Sequence, residues 1–133
     1  MRADFRGVAA IEAAILLPVL ILAIVGVAQM GTLYFAHAGL RNLAADGARF
    51  ASIAPRPTDA AIKARLQQGG FGLAPGRLSQ PKITYGKDGL ADYADIEVQY
   101  AVQLNFVFWS PESVPIVERR RVFLYPETPA PRP

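Results

Sequence analysis

Glu12 is the residue whose type and position constrain this chain most: it is a carboxylate at the mouth of a stretch, Ala13 to Leu40, that holds no Lys, Arg, Asp or Glu. A charge at the edge of an apolar span is costly unless it is hydrated or paired. Hydration at the headgroup level is one account of it. The other starts at Gly7. A chain cut between Gly7 and Val8 gains an ammonium at Val8, four residues and about one helical turn before Glu12. In a dry bundle of helices an unpaired carboxylate and an unpaired amine would both be expensive. Pairing them, within one chain or between neighbours, would fix axial register.

The element that positions Glu12 is a membrane span. About 20 apolar residues cross the hydrocarbon layer as a helix, and Ala13 to Thr32 supply them. Arg2 and Arg6 precede the span, so the positive-inside tendency puts the N-terminus in the cytoplasm and the remainder on the other side. Tyr34 and Phe35 suit the outer interface. The helical pattern continues past the exit: Leu33, Ala36, Leu40, Leu43, Gly47, Phe50 and Ala54 recur at spacings of three and four, until Pro55 and Pro57 end it. A helix over 8–54 would be roughly 70 Å long, with Pro18 as a kink.

Beyond it the pattern predicts a short helix from Asp59 to Gln68, capped by Thr58 and ended by Gly69-Gly70, then a loop to Pro81. A strand over Lys82–Gly86 leads into a turn at Lys87-Asp88-Gly89. Ile96, Val98, Tyr100, Val102, Leu104, Phe106 and Phe108 share one parity of a strand, which predicts a core role for Phe106 and Phe108 and leaves Trp109 open. A last strand is expected over Ile116–Tyr125, followed by a Pro-rich tail, 126–133, expected to be disordered. The resulting class is α+β: a long N-terminal transmembrane helix running into a small domain with one short helix and an antiparallel sheet of about three strands. The divisions are a leader-like segment 1–7, the span and stalk 8–54, an extracytoplasmic domain 55–125 and the tail.

Other candidate chemistry is thin. The chain has no Cys, a net charge of +3 and a single His, His37, so thiolate metal sites and a basic nucleic-acid stripe are excluded, and no cofactor is implied. No nucleophile elbow or phosphate loop supports an enzyme. Asp88, Asp92, Asp95 and Glu97 read as a solvated face, and Arg119-Arg120-Arg121 as partners for acidic residues on a neighbouring strand or as protection for a sheet edge. Asp46 and Arg49, three apart, are placed to pair on the helix face. Ala9 with Ala13 and Ala10 with Ala14 are small-xxx-small pairs that let helices approach closely. Gly47 on the apolar stripe points to a close contact, or to a harmless Gly near a helix end.

Arg6-Gly7-Val8-Ala9-Ala10-Ile11-Glu12, followed by Ala-Ala-Ile-Leu-Leu-Pro, resembles the N-terminus of TadE-like proteins, pseudopilins or minor pilins of the tight-adherence branch of type IV pili. Gly7, Glu12 and Pro18 stand at the family's positions, and Gly47-Ala48-Arg49 is similar to its segment after the membrane exit; Ala13 replaces the aromatic that many members carry after the Glu. The resemblance implies an inner-membrane, single-pass structural protein of pilus assembly. Its partners would be other pilin subunits, the assembly machinery, the lipid bilayer and a prepilin peptidase acting between Gly7 and Val8. Two other readings stay open: a secreted binding module cleaved after Gly26-Val27-Ala28, and a permanently anchored accessory protein.

Overall fold

A computed structural model describes residues 5–74, 76–106 and 108–125. Its elements are α1 (Phe5–Ala51), α2 (Asp59–Gln67), β1 (Lys82–Asp88), β2 (Ala91–Val102) and β3 (Val114–Phe123). The strands form one antiparallel sheet in the order β1-β2-β3. The α+β class and the long helix entering a small domain are as the sequence predicts. The tail expected at 126–133 lies outside the described residues.

α1 is one helix with two environments. Every residue from Gly7 to Ile24 is exposed, whereas Ala36, Leu40, Leu43, Ala44, Ala48 and Ala51 are buried against the sheet and α2. The three- and four-residue stripe is therefore the core face of the second half, with Leu33 and Phe50 at its margins. Ala54, expected on that stripe, is exposed and outside the helix. α1 ends at Ala51 because the chain tightens there: Ser52 N–H donates to both Ala48 and Arg49 carbonyls, and Ser52 Oγ also donates to Arg49 O at 2.8 Å. These bonds satisfy last-turn carbonyls before Pro55 bars further helix.

α2 follows its sequence signals. Thr58 Oγ1 accepts from Ala61 N–H, Ile62 and Leu66 are buried four residues apart, and Gly69 takes the left-handed backbone (φ 76°) that stops the helix. β1 and β2 turn through Gly89-Leu90, with Gly89 (φ 62°) at the first central position of a two-residue hairpin. β1 thus runs two residues past the expected Gly86, and Lys87 and Asp88 belong to the strand rather than the turn.

β2 is the central strand. Ala94, Ile96, Val98, Tyr100 and Val102 alternate inward and are all buried. The expected strand continues through Phe108, but β2 stops at Val102, where its last partner on β3 is Val114. Leu104, Phe106 and Phe108 keep the parity without a neighbouring strand to hold them. Phe108 is 82 % exposed and Phe106 half-buried, so neither is the core residue that parity predicts. β3 is likewise shifted two residues toward the N-terminus of its expected range, ending at Phe123.

Candidate assembly interface

The exposed half of α1 carries Gly7, Val8, Ala9, Ala10, Glu12, Ala13, Ala14 and Pro18, all outside the domain. Among the described residues one helix is long and apolar enough to cross a membrane, with a mean hydropathy of 2.8 over its best window and none of that window buried. Between Ala10 and Ala23 the helix surface forms an almost wholly apolar concavity lined by four alanines, Ala10, Ala13, Ala14 and Ala23, together with Leu16, Leu17, Val19 and Leu20. The Ala10–Ala14 pair and Ala13 thus share one surface, whereas Ala9 does not line it. Glu12 flanks it and makes no ion pair among the described residues. A Cβ on Gly7, Gly26 or Gly31 would meet nothing within 4 Å, so no close approach among the described residues requires a glycine there.

Gly47 and Ala48 play a different part. Both are buried, and a Cβ on Gly47 would overlap the Leu66 side chain of α2. The close contact read from the sequence is therefore internal to the domain. Arg49 is exposed, and Asp46 pairs not with it but with Arg65 of α2, at 2.9 Å. A cross-helix partner was invisible to spacing along α1 alone.

The sheet's outer face is a charge ladder. Lys82, Glu97 and Arg119 are in register across the three strands, as are Thr84, Asp95 and Arg121. Arg121 grips Asp95 through two bonds of 2.9 Å and lies 3.9 Å over the Tyr93 ring, while Arg119 donates twice to Glu97 Oε2. Hydrogen bonding to the arginines holds both carboxyls below their ordinary range. Two members of the acidic cluster, Asp95 and Glu97, are thus the cross-strand partners of Arg121 and Arg119, while Asp92 faces Lys87. Arg120, on the opposite parity, is exposed. Elsewhere Tyr85 donates to Asp59 under the Arg56 guanidinium; burial first, and then the Asp59 bond, push its hydroxyl up. His37 is exposed.

One set of contacts escaped the sequence reading. Gln29 Nε2 donates to the Asn105 carbonyl oxygen at 2.5 Å, which draws the loop after β2 down onto the apolar part of α1. Phe106 and Trp109 close that loop with reciprocal backbone bonds of 2.9 and 3.3 Å and stack their rings at 5.9 Å. The available signal was Gln29 itself, an amide near the end of an otherwise apolar run.

Residues 7–49 match the family model described as TadE-like protein, which bears out the resemblance to that family. No curated protein and no solved structure matches the chain. The match and the long apolar helix together support a membrane-anchored protein associated with the tight-adherence pilus.

Proposed function

We propose that this chain is a minor pilin or pseudopilin, a structural and non-catalytic component in the assembly of a tight-adherence pilus. It is held in the inner membrane by α1 with its N-terminus cytoplasmic and its domain periplasmic, and it packs against other pilin subunits through the first half of α1. The observation that carries this reading is the division of α1: its second half is consumed by the domain core, while its first half, within the TadE-like match, is left bare.

The geometry favours lateral packing. At about 100° per residue, an unbroken helix sets Ala13 roughly half a turn from Leu40. By the same geometry Leu17 lies about 140° and Ala14 about 80° from Leu40, so the Ala13–Leu17 edge of the surface is the part turned away from the sheet and open to a neighbouring helix. Cleavage between Gly7 and Val8 by a prepilin peptidase would supply the amine that Glu12 pairs with, in the same chain or a neighbour.

Replacing Glu12 with Gln keeps size and removes the charge. The E12Q chain is expected to insert in the membrane normally but to enter, or to support, pili far less than wild type. Unchanged piliation with unchanged insertion would refute the pairing role. In the same preparation a mature chain beginning at Met1 would favour a permanently anchored accessory protein.

A further inference from the structure

We propose that the membrane-proximal end of the domain is itself a lipid-docking surface, in which Phe71, Phe108 and Trp109 enter the outer interfacial layer of the bilayer beside α1. The inference rests on the reading of α1 as a membrane span and goes beyond it.

Two loops leave the same end of the sheet and reach α1 on either side of the membrane exit. The first, after α2, crosses α1 so closely that a Cβ on Gly39 would overlap the Phe71 carbonyl, and a Cβ on Gly72 (φ 78°) would sit 2.9 Å from Phe35 O. Its Phe71 ring meets Phe35 edge-on at 6.4 Å. The second is the Asn105 loop held by Gln29. Their bases are tied together: Arg77 donates to Gln103 Oε1 at 2.6 Å, Ala101 N–H donates to Arg77 O, and Ala74 N–H donates to Tyr100 Oη at 2.9 Å. The pair is thus one braced surface.

Its height relative to the bilayer follows from helix geometry. With Thr32 as the last residue of the apolar run, Gln29 lies about 4.5 Å inside it and Phe35 about 4.5 Å beyond. The interfacial layer is roughly 5–7 Å deep on each side of the hydrocarbon, so Phe35 lies within it and Gln29 just below its inner edge. What they present there is aromatic and uncharged. Phe71 is 83 % exposed, Phe108 82 % and Trp109 66 %, beside exposed Tyr34 and Phe35 on α1. No charged residue occurs between Gly69 and Gly76 or between Leu104 and Pro111. Aromatic rings favour this layer, and no charge has to be desolvated to place them in it. The patch is continuous with the span, which selects lipid as its occupant over a soluble partner.

Trp109 is the only Trp and therefore a built-in probe. The full chain is reconstituted into phosphatidylcholine–phosphatidylglycerol vesicles, with and without lipids brominated at shallow acyl positions, and insertion is read separately by flotation. Expected are blue-shifted Trp109 emission, quenching by brominated lipid and protection from aqueous iodide. Replacing Phe71 and Phe108 together with Ser should red-shift the emission and reduce lipid quenching, with flotation and far-ultraviolet circular dichroism unchanged. Floated wild type that is quenched by iodide but not by brominated lipid overturns the proposal and leaves the span intact. Blue-shifted emission without lipid quenching overturns it in favour of a second copy covering the patch. Lipid quenching that is undiminished in the double variant also overturns it. A chain that fails to float overturns both the docking surface and the span.

Discussion

The Leu66 side chain fills the space that a Cβ on Gly47 would occupy, and this contact, beside the Asp46–Arg65 pair, seats α2 on α1. Both residues are buried, so neither can swing into solvent to relieve a clash. Gly47→Ala gains about 1 kcal/mol of helix propensity. It also overpacks a filled site, at a cost of about 1–3 kcal/mol. We expect a net loss of up to about 2 kcal/mol in chemical denaturation of the detergent-solubilised chain. In a Leu66→Ala background the same change should be neutral or stabilising, because the space is then free.

How far such relationships were legible depends on whether both partners lie on one element. The stripe from Leu33 to Phe50 is periodic, so its burial could be read from spacing, as could the inward set of β2 from Ile96 to Val102. The Gly69 stop and the Thr58 cap have local chemistry and were equally plain. Phe108 shows the limit. Its parity continues β2, but a strand also needs a neighbour, and the register with β3 ends at Val102↔Val114. Asp46 likewise has a suitable Arg three residues on, yet pairs with Arg65, because α2 brings that side chain across α1. The Gln29–Asn105 bond joins residues 76 apart, so local pattern shows the amide at Gln29 but not the partner it reaches.

Leu40 is fully buried among α1, α2 and the sheet, making it the point where stalk and domain are one core. Leu40→Ala should destabilise the domain by about 2–5 kcal/mol, from lost transfer free energy plus a residual cavity. Leu20→Ala, on the bare half of α1, should leave domain unfolding unchanged when both are measured in the same detergent.

The outer-face ladder carries a pH dependence of known sign. Asp95 and Glu97 have folded-state pKa values depressed from their ordinary 3.8 and 4.5 by hydrogen bonds to Arg121 and Arg119. Folding therefore gains from their ionisation above those ordinary values, and the gain is lost as pH falls through the lower folded-state ones. Thermal midpoints should drop as pH is lowered from about 5 toward 3. A doubly substituted D95N/E97Q chain should begin lower at neutral pH and show a shallower acid slope.

The small-residue surface makes a separate prediction. Ala13→Leu adds bulk where neighbouring helices are expected to approach, yet suits lipid as well as Ala does. Incorporation into pili should fall several-fold, in keeping with a lost packing term of about 1 kcal/mol or more. Membrane insertion and domain stability should hold. Leu22→Met, on the same bare half of α1 but outside that surface, should be silent in both assays.

The most direct test of a subunit that assembles through the first half of α1 is the intact mass and N-terminal sequence of the mature chain, taken from membranes and from sheared surface pili. The account predicts a chain beginning at Val8 in both fractions, with Glu12 and the small-residue surface retained. A mature chain beginning at Gln29 would have lost both and would contradict it.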